Sequence, residues 1–199
     1  MSGIQVGQTV PDFKLATFDP KTSDFAEFSL AENMKNGRWT VLFFYPADFT
    51  FVCATEFNAL AGLQDEFEGL GATLLTVSTD TQFTHLAWQR EEKQLGGVKY
   101  LMGADPSGEV SELFGVKLDN GLALRGTFLV NPEGTLMNAE VNFLNLGRNV
   151  NELMRKLKGN LYLAKNGAEA CPASWTNDGD KTLKPSAAMV GRVDQAING

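Results

Sequence analysis

The stretch Trp39–Tyr45 (WTVLFFY) constrains this chain more than any other. Apolar, aromatic and β-branched residues follow one another without a polar break, and the run stops at Pro46. It is too short to cross a bilayer, and with no polar alternation it leaves no face for water, so it reads as a strand buried on both sides. Ala72–Ser78 (ATLLTVS) is a second run of the same kind. Between the two, Phe57, Leu60, Leu63, Phe67 and Leu70 recur every three or four residues within Cys53–Leu70, the apolar stripe of a helix. Strand, helix and strand in that order predict a βαβ unit with parallel strands.

The remaining pattern extends this unit. Gly126–Val130 (GTFLV) and Thr135–Val141 (TLMNAEV) flank the turn Asn131-Pro132-Glu133-Gly134, which predicts an antiparallel hairpin. Helices are predicted over Asp80–Leu95, Ser107–Phe114 and Asn149–Leu163, with a short strand between the first two. The last helix carries Val150, Leu153, Leu157 and Leu161 on one face, with Asn149 as its N-cap. The order predicts an α/β chain with a thioredoxin-like fold, a central mixed β-sheet flanked by helices. Lys165–Gly199 differs: Gly167, Pro172, Gly179 and Pro185 interrupt it and no period is sustained. It predicts an extended C-terminal arm, so the organisation is a domain over 1–164 followed by an arm over 165–199.

Composition removes several kinds of function. A net charge of −7 argues against nucleic-acid partners and against a basic membrane anchor. Met1–Gln8 has no basic patch leading into an apolar stretch, so a secretory signal is not read and a cytoplasmic location is expected. Two cysteines and one histidine are too few for a zinc site or a histidine-rich metal centre. Neither a phosphate-binding GxxxxGK[ST] loop nor a GxGxxG turn is present. No metal and no cofactor are expected, and the chemistry falls to cysteine.

Cys53 follows a buried strand, a Pro46 turn and Thr50, and opens an amphipathic helix. Unpaired backbone N–H groups and the positive end of the helix dipole favour a thiolate there. Three kinds of function remain compatible with such a cysteine. One is a redox enzyme; another is a cysteine hydrolase with His85 as base; the third is an assembly protein whose two cysteines pair inertly. A thioredoxin-type reductase is disfavoured because no CxxC is present. His85 also suits a cap or packing role, and Trp88 and Trp175 suit packing.

The string Pro46-x-x-x-Thr50-x-x-Cys53 resembles the active-site motif of peroxiredoxins. The longer Phe44–Cys53 segment (FYPADFTFVC) is similar to the bacterial alkyl hydroperoxide reductase (AhpC) branch of that family. Further blocks resemble it in order: Val77–Asp80, His85–Trp88, Arg125–Phe128, Gly147-Arg148, Glu169–Trp175 (EACPASW), and Lys184-Pro185 with Val190-Gly191. The resemblance covers nearly the whole chain and implies a typical two-cysteine peroxidase. Cys53 is then the group that attacks a peroxide, and Cys171 closes an intersubunit disulfide with it. Thr50 would bond the peroxide, Arg125 would hold the thiolate and the developing charge, and Pro46 would exclude water. Glu56 and Arg148 would orient Arg125. The implied partners are a peroxide substrate, a second copy of the chain in a homodimer or a decamer, and a disulfide reductase. That reductase would be an AhpF-type flavoprotein or thioredoxin. Asp194–Gly199 lacks the Tyr-Phe ending of peroxide-sensitive relatives, which implies greater resistance of Cys53 to over-oxidation. One position departs from the family: Ala54 stands where proline is usual. Read as the first helical position, where proline is pre-organised and alanine also fits, the change keeps the helix but leaves its effect on unwinding undetermined.

Overall fold

The computed structural model describes residues 3–198. The readings made of Met1–Gln8 and Asp194–Gly199 therefore fall in part outside the described residues.

The two continuous apolar runs become the centre of the sheet. β3 (Trp39–Phe44) and β4 (Ala72–Ser78) pair in parallel, from Trp39 opposite Ala72 to Phe44 opposite Val77. β5 (Leu101–Ala104) adds in parallel beyond β4. β6 (Arg125–Val130) lies antiparallel to β3, and its hairpin with β7 (Leu136–Asn142) forms one edge. At the other edge β1 (Lys14–Asp19) and β2 (Asp24–Ser29) form a second hairpin, with β1 antiparallel to β5. The sheet order is β2-β1-β5-β4-β3-β6-β7, mixed as the pattern predicts.

Successive side chains of β3 point to opposite faces. Leu42 and Phe44 join Leu75, Val77, Phe128 and Val130 in a core that also takes Leu30, Val110 and Phe114. Leu30 opens α1 (Leu30–Lys35), Val110 lies in the first turn of α4 (Glu109–Leu113), and Phe114 is that helix's C-cap. Val41 and Phe43, equally buried, face the other way. Helix α2 (Phe51–Gly69) buries Phe57, Leu60 and Phe67, and α3 (Gln82–Glu91) buries His85 and Trp88. Phe57 is in ring contact with Tyr45, Trp88 and Tyr100, an aromatic group that anchors the body of α2. The Tyr100 hydroxyl donates to the Phe57 carbonyl at 3.0 Å.

Two differences from the sequence reading have physical causes. The β1–β2 hairpin escapes the periodicity argument because β2 is an edge strand with most side chains exposed, and its apolar residues Phe25, Ala26 and Phe28 form neither an unbroken run nor a strict alternation. The helix predicted over Asp80–Leu95 is shorter: Thr81 caps α3, Glu92 is extended and stops it, and a separate 3₁₀ turn follows at Lys93–Leu95.

By contacts the described residues form two units that divide between Val150 and Asn151, so nearly all of α5 (Val150–Lys165) groups with the residues after it. In this second unit Trp175 is buried, its ring 3.5 Å from the position a Cβ on Gly159 would take and 5.7 Å from the Tyr162 ring. Arg155 donates to the Trp175 carbonyl at 3.1 Å. Ala170 and Leu183 form an antiparallel bridge, and Glu169 accepts from the Tyr162 hydroxyl at 2.7 Å and from the Thr182 hydroxyl. These ties leave Cys171 next to an ordered bridge. A 3₁₀ turn (Ala187–Met189) and α6 (Val193–Asn198) follow among the described residues. Among the described residues no helix is long and apolar enough to cross a membrane.

Candidate active site

Cys53 is the third residue of α2, and its side chain is fully buried. The helix starts where it does because Phe49 takes a left-handed backbone (φ 56°) and Thr50 an extended one (φ −114°, ψ 159°), which turns the chain from β3 into the helix axis. The Thr50 hydroxyl does not cap the helix. It donates to the Ala47 carbonyl at 2.7 Å, which leaves its oxygen lone pairs able to accept. Pro46 is buried, two residues past the end of β3.

The sheet and α2 bring distant residues to this cysteine. Arg125, the first residue of β6, places Nη1 3.2 Å from Cys53 Sγ and 2.7 Å from Glu56 Oε2. Its Nε donates to the Leu144 carbonyl at 2.7 Å, so the guanidinium is held on two sides. Glu56 lies one helical turn after Cys53 and is 3% exposed. Arg148 donates to it three times: backbone N at 2.8 Å and Nε at 2.9 Å to Oε1, and Nη2 at 3.0 Å to Oε2. Arg148 Nη1 donates to the Gly126 carbonyl at 2.8 Å and to Thr127 Oγ1 at 3.1 Å. Its guanidinium carbon lies 3.2 Å from the centre of the Phe43 ring. Burial pulls Arg148 below the usual arginine range, and the Glu56 carboxylate opposes that pull. Two guanidinium groups share one carboxylate here, and Arg125 Nη1, beside Glu56, also faces Cys53 Sγ.

The residues singled out in the sequence thus divide. Cys53, Arg125, Glu56 and Arg148 are in direct contact, as a chain of hydrogen bonds. Thr50 and Pro46 sit on the loop that delivers Cys53. Cys171 lies in the second unit, and both cysteines are free thiols. Burial raises the Cys171 thiol above its ordinary range, with the charge of Arg155 opposing. Gly126 and Thr127 were not assigned roles from sequence, although both hold Arg148. Gly126 admits no side chain: a Cβ there would come within 2.7 Å of Phe128 and Val116. A glycine inside an otherwise bulky strand was the available signal.

His85 is fully buried and has no contact with Cys53. Nδ1 lies 2.7 Å from Asp48 Oδ2, and Nε2 donates to the Gly103 carbonyl at 3.1 Å. The Tyr45 hydroxyl donates to the other Asp48 oxygen at 2.6 Å. Burial pushes the Asp48 carboxyl up, opposed by the His85 and Tyr45 hydrogen bonds, and pushes the Tyr45 phenol well above its usual range. Both ring nitrogens are committed, so this histidine is not the base a cysteine hydrolase needs. His85→Ala should leave the rate of Cys53 oxidation by peroxide within a few-fold of wild type. It should lower stability by about 1–3 kcal/mol, because Asp48 and the Gly103 carbonyl lose a buried partner. Abolished reactivity in a folded variant would restore the hydrolase reading.

Among the described residues, no group of three or more His, Cys, Asp or Glu side chains is placed to hold a metal ion. Residues 6–139 match the AhpC/TSA family. The chain is 46% identical to the putative peroxiredoxin YkuU of Bacillus subtilis, over 92% of this chain and 100% of that one. It is 41% identical to alkyl hydroperoxide reductase C of Escherichia coli strain K12, over 94% of this chain and 98% of the relative. The fold is similar to that of reduced 2-Cys peroxiredoxin from Plasmodium vivax, with a TM-score of 0.86 and 32% identity over 94% of this chain and 98% of that one.

Proposed function

The chain belongs to the AhpC/TSA family, whose members here are peroxiredoxins, and from that premise we propose a two-cysteine peroxidase cycle that begins at Cys53. The observation that carries this assignment is the buried Cys53 Sγ at the start of α2 with Arg125 Nη1 3.2 Å away. A peroxide that enters above Sγ meets a thiolate, a guanidinium and the Thr50 hydroxyl. The thiolate displaces on the nearer peroxide oxygen, the O–O bond breaks, and the departing oxygen takes a proton to leave as water or an alcohol. Cys53 is left as sulfenic acid. Arg125 and Thr50 stabilise the charge that develops on the departing oxygen. Pro46 keeps bulk water off the sulfur, and Glu56 with Arg148 holds Arg125 in line. The Cys171 sulfur then attacks the Cys53 sulfenic sulfur, and water leaves as the disulfide forms.

We assign the disulfide to two subunits of a homodimer. β7 is an edge strand, and Val141, Phe143 and Leu146 are exposed on and beyond it, a surface that suits a second copy of the chain. A dithiol reductase, either a flavoprotein of the AhpF type or thioredoxin, regenerates the two thiols in the cytoplasm. Substrates are hydrogen peroxide and alkyl hydroperoxides.

Stopped-flow oxidation of the reduced protein by hydrogen peroxide, followed by non-reducing gels, tests the cycle. Cys53→Ser should abolish fast oxidation, at least about a thousandfold, because no other thiolate sits beside a buried guanidinium. Cys171→Ser should keep the first step and lose the disulfide-linked dimer. Fast oxidation that survives in Cys53→Ser would remove the assignment.

A further inference from the structure

Ala54 is the fourth residue of α2, since the helix begins at Phe51. It is therefore not at the first helical position. The N–H groups of the first three helical residues have no carbonyl behind them, and the fourth is the first that does. The Ala54 N–H reaches the Thr50 carbonyl at 3.4 Å, a long bond that closes the turn containing Cys53. The rest of that turn is weakly held. The Thr50 hydroxyl gives no cap, Phe49 stores left-handed strain just ahead of it, and Phe51 is 92% exposed. Cys53 is fully buried inside the turn, so no second thiol can reach its sulfur until the turn opens.

We propose that Ala54 sets how long oxidised Cys53 stays inside the helix, and through that the partition of its sulfenic acid between disulfide closure and a second oxidation. The inference rests on the cycle proposed above. In closure, Cys171 sulfur bonds to Cys53 sulfur and water leaves. In the competing reaction a further peroxide transfers one oxygen to the sulfenic sulfur, its O–O bond breaks, and water or alcohol departs; the product is sulfinic acid. Closure needs the open turn. The second oxidation needs only the site that served the first.

The structure supplies the sign. Alanine contributes the N–H that closes the turn and is the best helix former. Proline at position 54 removes that bond, drives its ring against the Thr50 carbonyl, and disfavours helical backbone at Cys53. Ala54 therefore favours the closed turn and prolongs exposure of the sulfenic acid to peroxide.

The test compares wild type, Ala54→Pro and Ala54→Gly, with stopped-flow kinetics of both steps and mass spectrometry of the sulfinic fraction per turnover. Ala54→Pro should react with the first hydrogen peroxide within about threefold of the wild-type rate, close the disulfide roughly three to tenfold faster, and accumulate correspondingly less sulfinic acid. Ala54→Gly keeps the N–H but loosens the helix, and should shift both quantities the same way by a smaller factor. The glycine variant carries the test if the proline variant does not fold. An unchanged or reversed partition in the folded variants would overturn the role of Ala54. Wild-type protein that consumes peroxide without ever forming a Cys53–Cys171 disulfide would instead overturn the cycle beneath it.

Discussion

Arg125→Met should slow the oxidation of Cys53 by hydrogen peroxide by roughly two to three orders of magnitude, the loss typical when a preorganised donor to a developing oxyanion is removed. Arg125 meets the requirement for such a donor. It is 3% exposed, so water does not screen its charge, and its Nη1 is already 3.2 Å from the reacting sulfur before substrate arrives. Methionine fills similar volume and removes both the charge and the fork of donors. Arg125→Lys should recover only a small part of the rate. A single ammonium cannot at once reach Cys53 Sγ, Glu56 Oε2 and the Leu144 carbonyl, which Arg125 bonds from Nη1 and Nε. The measurement is stopped-flow fluorescence of the reduced protein, with circular dichroism as a control for folding. An Arg125→Met variant that is folded and oxidised at the wild-type rate would detach this residue from the chemistry.

What could be read in the sequence followed from where the physical signal is local. β3 and β4 are legible because strands buried on both faces must be apolar throughout, and α2 because its stripe repeats every turn. The β1–β2 hairpin is not, since Asp24–Ser29 is an edge strand with most side chains exposed, and its apolar residues neither run on nor alternate. Cys53 stood out through its own neighbours: a strand, a proline turn and a helix start. Its partners did not, because Arg125 and Arg148 arrive from β6 and from the segment after β7, and nothing local marks them as neighbours of Glu56. The resemblance to peroxiredoxins named those residues, and the geometry placed them in contact. The Tyr45–Asp48–His85 group had no sequence signal, since burial of Asp48 is a consequence of packing. For Ala54 the residue was visible, but its effect depended on whether the helix begins at Phe51 or later, a difference of a few residues that periodicity does not resolve.

Glu56→Ala should destabilise the protein by about 3–5 kcal/mol, the cost of removing one partner from a buried ion pair. Glu56 is the common acceptor of both arginines, and all three side chains are at most 4% exposed. Without it, two guanidinium groups remain in a site with no compensating carboxylate, and the hydrogen bonds that Arg148 donates to it from the backbone N, Nε and Nη2 lose their acceptor. A loss of that size is a large share of the total for a domain of ordinary stability. Denaturant unfolding at a fixed protomer concentration measures it, since assembly adds its own contribution. Glu56→Gln, which keeps the shape and one acceptor oxygen, should lose less. Replacing the pair together, Glu56→Met with Arg148→Met, should return part of the stability, because well-packed apolar side chains are no worse than a desolvated ion pair. It should not return the rate of Cys53 oxidation, because Arg125 would still lack the carboxylate that aims Nη1 at the sulfur. Recovery of stability without recovery of rate would separate the two roles and assign Glu56 and Arg148 to orientation. If Glu56→Ala is within about 1 kcal/mol of wild type, the three charges are better solvated than their burial states, and the argument for a dry, preorganised site around Cys53 fails with them.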